Sequence, residues 1–328
     1  MSTPPQPPTA YNRDEIRARL RDTPLRIGQI DVNGKCNAKC WYCPVKYQGN
    51  PAEFAVQMPL DQLERILGNL RASPSIAPDL RFLYSCHYNE VLIYRHFAEM
   101  LGLFRRHRFA TMILSNGTPL TPEKTDLIVA NKDVVWGITL NIPALDKDDW
   151  ARKAGLPASM HKLLLRNLDY LHDKYPALIQ INSATSEQGL LNQGIGNSKT
   201  EGEMIANDFR ERYPKFQVKL QEWLSDRAGK LEALDVLTRK KAVRNRVVGC
   251  SHSVNQGSRV YGWFHINAKG DLFLCCDDYE MEYRFGNLLD KPFEDIWLSD
   301  EHVEAIERAQ NGLCLNCQFR VEAAEPAG

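Results

Sequence analysis

The chain has 328 residues, 43% hydrophobic and 25% charged, with a formal net charge of zero. That length holds one large core or two unequal ones, and the balanced charge gives no electrostatic reason to expect nucleic acid or a charged partner arm. The opening MSTPPQPPTAYNRDE lacks the basic-then-apolar layout of a secretory signal, and no apolar run reaches membrane-spanning length. We therefore expect a cytoplasmic protein with no nucleic-acid and no membrane partner, and a flexible leader over residues 1–24.

Six short apolar segments then read as strands: LRIGQIDV (25–32), DLRFLYS (79–85), FATMILS (109–115), DVVWGITLNI (133–142), LIQINSA (178–184) and KFQVKLQEW (215–223). Each is bounded by turn or charged residues, as buried parallel strands are. Amphipathic stretches lie between them. In PLDQLERILGNL, Leu60, Leu63, Ile66, Leu67 and Leu70 recur at helical spacing, and segments 159–175 and 201–213 read the same way. Thr121-Pro122 has the form of an N-cap followed by proline at the first helical position. Strand–helix alternation implies an α/β fold with a parallel sheet. Six repeats are too few to close an eight-stranded barrel, so a partial (βα)6 TIM-like barrel is expected over 25–235, with chemistry at the strand ends. Past residue 245 the alternation stops. One hairpin unit (YGWFHINAKGDLFLCC) and one helix (SDEHVEAIERAQ) remain, and 236–328 reads as a small cysteine-rich domain.

Nine cysteines in a reducing compartment need a role other than disulfides. Cys36, Cys40 and Cys43 crowd the loop after the first strand, and none occurs from 87 to 249. Cys250, Cys275, Cys276, Cys314 and Cys317 form a second set, so two sites are expected. Three thiolates spaced C-x3-C-x2-C hold three irons of a cubane and leave the fourth open. A structural zinc site wants four ligands, and no fourth is near.

The segment CNAKCWYC resembles the signature of radical S-adenosylmethionine (SAM) enzymes, with Tyr42 at the aromatic position. The resemblance implies a [4Fe–4S] cluster held by three cysteines and SAM. In that family the open iron chelates the amino and carboxylate groups of SAM, and reductive cleavage gives a 5′-deoxyadenosyl radical that abstracts hydrogen. CHYNEVLIY resembles the family's Gly-Gly-Glu-like stretch and places Glu90 at the SAM amine, with Tyr88-Asn89 where glycines are common. LSNGTPLT resembles the third-strand turn, putting Ser115 and Asn116 near the ribose. WGITLNIP resembles the fourth strand, with Asn141 at its end. The plainer readings are a helix-start acid for Glu90, a simple turn at Ser115–Gly117 and a small buried thiol for Cys86.

The second set resembles the auxiliary-cluster domain called SPASM, or its shorter form, twitch. Gly270 stands four residues before Cys275, and the resemblance assigns Cys250, Cys275, Cys314 and Cys317 to one auxiliary [4Fe–4S] cluster. With no cysteine after Cys317, twitch is the nearer match. A structural zinc site, and with it a non-enzymatic binding protein, is the competing reading. Cys276 is left as packing, an alternative ligand or a hydrogen-atom donor. Asp277 and Asp278 read as a solvated turn, or as holders of substrate hydroxyl or amine groups. Arg227, in SDRAG at the barrel mouth, suits an anionic or hydroxylated substrate or a surface ion pair.

A single auxiliary cluster is similar to that of radical SAM aminocyclitol dehydrogenases. It implies oxidation of a small polar, sugar- or cyclitol-like substrate, with the cluster as electron acceptor and flavodoxin or ferredoxin as donor. The alternatives are redox-neutral epimerisation with Cys276 or Cys86 returning hydrogen, and modification of a ribosomal peptide. The roughly 25 mostly polar residues before the first strand are expected to be too few for the leader-binding segment such peptide enzymes often carry. That counts against peptide modification while leaving open a leader bound elsewhere or by a separate protein.

Overall fold

The computed structural model describes residues 13–85, 87–182, 197–221, 224–234, 243, 245–251 and 259–323. Helix α1 (Arg13–Asp22) leads into β1 (Ile27–Ile30), and α2 (Val45–Gln48) and α3 (Leu60–Ala72) separate it from β2 (Phe82–Tyr84). There follow α4 (Phe97–Arg106), β3 (Thr111–Ser115), α5 (Pro122–Ala130), β4 (Val135–Asn141), α6 (Lys147–Ala154), α7 (His161–Lys174), β5 (Leu178–Asn182), α8 (Lys199–Arg212), β6 (Gln217–Gln221) and α9 (Lys230–Ala233). All six strands fall inside the segments that the apolar pattern marks. β1 pairs with β2, and β3 through β6 pair in sequence order, all parallel. A parallel bridge from Phe82 to Ala110 joins the two runs into one open wall.

The helices begin and end where side chains dictate. α3 buries Leu63, Ile66, Leu67 and Leu70, its apolar stripe. The Thr121 hydroxyl accepts from the Lys124 amide, with Pro122 at the first position of α5. Ser198 and Glu201 cap α8 reciprocally. α6 stops at Gly155, whose φ of 63° is the left-handed C-cap conformation.

The leader is not wholly flexible. Residues 13–22 form α1, which buries Ile16 and Leu20 and is tied by a hydrogen bond from Trp297 Nε1 to the Leu20 carbonyl (3.2 Å) and by an ion pair of Arg17 with Asp300. Two apolar residues four apart, among mostly charged ones, make a one-sided helix that only a partner surface stabilises. Among the described residues no helix is long and apolar enough to cross a membrane.

The C-terminal part contains β7 (Val247–Cys250), α10 (Arg259–Gly262), β8 (Trp263–Ile266), β9 (Asp271–Phe273), β10 (Arg284–Asn287), α11 (Phe293–Trp297), α12 (Asp300–Gln310) and β11 (Arg320–Glu322). β8, β9 and β10 form an antiparallel meander, and β11 pairs antiparallel with β7. The expected boundary at 235–236 lies outside the described residues. This part does not stand apart from the barrel: β8 runs parallel to β1, with Ile27 opposite Trp263 and Ile30 opposite Ile266. β1 would otherwise leave an edge of unpaired amides beside the site.

Gly28 makes that pairing possible, because a Cβ there would fall inside the Phe264 ring. Gly28→Val is expected to destabilise by about 1–3 kcal/mol through overpacking, read as a lower thermal midpoint. Adding Phe264→Leu should recover part of the loss.

Candidate active site at the barrel mouth

The loop after β1 is hung from the C-terminal end of α6. The Lys39 amide donates to the Ala154 carbonyl and the Trp41 amide to the Lys153 carbonyl, both at 2.9 Å. Orphan carbonyls of a helix end thus fix the cysteine loop, and a Cβ on Gly155 would collide with the Lys39 backbone. Trp41 is fully buried beneath the loop. Cys36 Sγ accepts from the Ala38 amide (3.4 Å), and the Cys43 amide closes a turn on the Cys40 carbonyl (2.9 Å). Burial pushes the Cys40 thiol up to about 12 and Cys43 to about 11, and lifts Cys36 further still. Neighbouring thiolates add to the shift at Cys36 and Cys40. Only a bound cation would hold three such thiols deprotonated together. The donor set fits an iron–sulfur cluster with one position left to a non-protein ligand.

All three cysteines line a cavity of about 320 Å³ together with Tyr42, Glu90, Ser115, Asn116, Asn141, Arg227 and Cys276. Two groups of contacts divide its wall. In one, the buried Glu90 carboxylate accepts from the Leu92 amide (3.1 Å), Ser115 Oγ (3.0 Å) and the Asn116 amide (2.9 Å). Burial raises it to about 7 against those bonds. Glu90 is thus both the acid at the start of a 3-10 turn and the brace that joins the β2 and β3 loops. The Asn116 side chain donates to Asn37 (2.8 Å), tying the β3 turn to the cysteine loop.

In the other group, Arg259 donates to Cys276 Sγ and lies over the Trp263 ring at 4.5 Å. Trp263 stacks on Tyr84 (5.9 Å, 10°). His87 Nε2 bonds the Cys276 carbonyl (2.7 Å), and Arg227 lies over Tyr88 at 5.5 Å. Arg227 is no surface ion pair. It reaches Asp277 at 3.6 Å and takes a left-handed φ of 53° that few side chains adopt. Nearby charges, Tyr88 and Asp277 first, raise its pKa despite the opposing burial.

Cys250 ends β7 opposite Arg320 of β11, three residues past Cys317. Cys314 and Cys317 share a 3-10 turn, with the Cys317 amide on the Cys314 carbonyl (3.2 Å). Cys317 Sγ accepts from the Phe319 amide and Cys275 Sγ from the Asp277 amide, both 3.4 Å, the same i+2 arrangement as at Cys36. Burial raises Cys314 to about 12, with Cys250 the next cause. Against the lowering effect of burial, Cys276, then Cys275, Asp277 and Cys250 raise the Arg259 pKa, and Cys250 also raises Cys314 and Cys317. Cys275, Cys276 and Asp277 place their ligand atoms within 4.8 Å of one another. Cys276 lines the barrel cavity as well, its thiol taking a hydrogen bond from Arg259.

Asp277 and Asp278 are not a solvated turn. Asp277 bonds Ser225 (3.3 Å) and Arg227, while Asp278 accepts from the Glu282 (3.1 Å) and Tyr283 (2.9 Å) amides. Cys86 lies outside the described residues. Sequence reasoning missed Gln29, Asp31, His87, Arg259 and Trp263, although His87 stands between two residues it did single out.

The iron-site loop at the mouth of a parallel α/β wall defines a cluster-binding barrel enzyme. Residues 30–182 match the radical SAM superfamily model, and residues 258–318 match the SPASM iron–sulfur cluster-binding domain. The chain belongs to the radical SAM superfamily. Membership brings a [4Fe–4S] cluster, SAM and an auxiliary iron–sulfur cluster. Among solved structures it is similar to BtrN in complex with AdoMet and 2-DOIA, with a TM-score of 0.54 and 16% identity over 94% of this chain and 98% of that one. It is also similar to SuiB of Streptococcus suis bound to its precursor peptide SuiA (0.60, 15%, 92% and 72%). A third is anSMEcpe with bound AdoMet (0.58, 14%, 90% and 86%). At these identities the likeness is one of fold. No curated protein matches the sequence.

Two outcomes are expected. Anaerobic iron and sulfide analysis should find about eight irons in the wild type and about four in a Cys36/Cys40/Cys43→Ala variant, with Gly155→Ala also losing iron. Asp31, buried and raised to about 8, and Glu90, raised to about 7, bind more protons folded than unfolded. Their contribution to stability is therefore lost as pH rises toward those values. His87, lowered to about 4, acts oppositely but only below its unfolded value of about 6.5. The anaerobic thermal midpoint should thus fall from about pH 6.5 to about pH 8, and Asp31→Asn should flatten that fall.

Proposed function

We propose that this enzyme oxidises a small, hydroxyl-rich substrate of the sugar or cyclitol kind. One observation carries the reading. Five cavity-lining residues hold buried polar atoms without a hydrogen-bond partner among the described residues: His87 Nδ1, Tyr88 OH, Asn89 Oδ1, Arg227 Nε and Arg259 Nε. Orphaned donors and acceptors of both kinds cost free energy unless a ligand meets them. A compact polyol or aminopolyol offers both kinds on one small frame. Tyr84 and Trp263 add a flat aromatic face suited to the C–H face of a ring.

Cys36, Cys40 and Cys43 would hold the first cluster, and Cys250, Cys275, Cys314 and Cys317 the auxiliary one. Tyr42, Glu90, Ser115, Asn116 and Asn141 would surround SAM, Glu90 acting both on the cofactor and as the brace described above. When bound, these groups supply a carbon radical that takes a hydrogen atom and a centre that accepts one electron. The chain's own part is to orient the substrate by Arg227 and Arg259, shut out water and receive the hydroxyl proton. Residues 25–235 would form the catalytic barrel and 236–328 the auxiliary domain, served in the cytoplasm by a flavodoxin- or ferredoxin-like donor.

A second reading, redox-neutral epimerisation, is favoured by Cys276, a thiol-bearing residue of the same cavity wall. BtrN is bound to 2-DOIA in its structure, which makes that compound the first of a panel of inositols, aminocyclitols and hexoses. The expected result is 5′-deoxyadenosine together with a product lighter by two hydrogens. Solvent deuterium at carbon in an isomer of unchanged mass, lost in Cys276→Ala, would establish epimerisation instead. A modified peptide with no turnover of polyols would overturn both.

A further inference from the structure

His87 stands apart from the other unpartnered groups because its tautomer is fixed. Its Nε2 lies 2.7 Å from the backbone carbonyl of Cys276, which can only accept. Nε2 therefore carries the proton, and Nδ1 keeps a lone pair in the neutral ring. That nitrogen is buried and without a hydrogen-bond partner. The His87 side chain is 2% exposed and lines the cavity shared with the cysteine loop. We propose that His87 is the proton acceptor for a substrate hydroxyl, the Cys276 carbonyl determining which ring nitrogen receives the proton.

The proposal rests on the oxidation reading above. Converting a carbinol to a ketone removes a hydrogen atom from carbon, a proton from oxygen and one electron. SAM bound in the cavity would supply the radical that takes the hydrogen atom, and a cluster held by Cys250, Cys275, Cys314 and Cys317 would take the electron. The proton goes to His87, its Nδ1–H bond forming as the substrate O–H bond breaks. The charged and titratable groups around the ring suit this role. Asp31, at the end of β1, has Oδ2 3.8 Å from Nδ1, and Tyr88 packs on the ring at 4.2 Å. Cys276 and Arg227 act on it from the segments after β9 and β6. Burial keeps the resting ring neutral, at about 4, and raises Asp31 to about 8, so the carboxyl beside Nδ1 is itself protonated and uncharged at neutral pH. Asp31 is a positioning residue, since it does not line the cavity.

Two measurements test this. Nitrogen NMR of histidine-labelled holoenzyme with oxidised clusters, His87 being assigned by its loss in His87→Gln, should give the Nε2–H tautomer at neutral pH. An Nδ1–H tautomer or an imidazolium there overturns the proposal without touching the polyol reading. With the carbon-deuterated polyol turned over in the panel, His87→Gln should still pass deuterium into 5′-deoxyadenosine while ketone formation drops about a hundredfold or more. Free imidazole should restore ketone to His87→Gly. Undiminished ketone in His87→Gln overturns the proposal. If no polyol reacts, the oxidation reading fails, and with it the role of His87.

Discussion

Strand β8 lies beside β1 in parallel register, and Gln29 Oε1 meets His265 Nδ1 across the pair at 3.2 Å, two side chains 236 residues apart in sequence. The rest of the site follows from that alignment. β1 delivers the cysteine loop, while β8 and the turn after β9 deliver Trp263 and Cys276 to the same cavity. Arg259, from the short helix just before β8, completes the wall. The auxiliary segment is thus a wall of the barrel, and one backbone carbonyl from it fixes a histidine that follows β2.

Charge in and around this cavity is governed by burial. Asp31, Glu90 and the thiols are all driven toward their neutral forms, and the two guanidiniums keep their charge. A site with few mobile charges and many unpaired dipoles binds neutral polar groups with strong directional preference. It also keeps water from competing for a reactive carbon.

Much of this was legible in the chain. Short apolar segments between turn and charged residues marked all six barrel strands, although β6 has no buried residue and β4 exposes Trp136. Thr121-Pro122 and the run of Leu63, Ile66 and Leu67 did the same for helices. Cys36, Cys40 and Cys43 were legible because three thiols so closely spaced in one loop point to a cluster with an open iron. What escaped was long-range. Nothing local tells β8 to join β1, and Arg259 looks like any surface arginine until Trp263 and Cys276 are placed beside it. α1 escaped because its two apolar contacts belong to a partner far along the chain. The two acids at 277–278 escaped because a turn in sequence gives no sign of being roofed over.

The β1–β8 pairing also sets an order of events during synthesis. Until residue 263 has been made, β1 has one unpaired edge, and the cysteine loop that follows it lacks the wall that encloses it in the finished protein. An open edge strand is a template for wrong pairing, and contacts between residues so far apart form late. The nascent barrel is therefore both most exposed to aggregation and most open to the machinery that delivers iron and sulfide, and the arrival of one four-residue strand ends both conditions together.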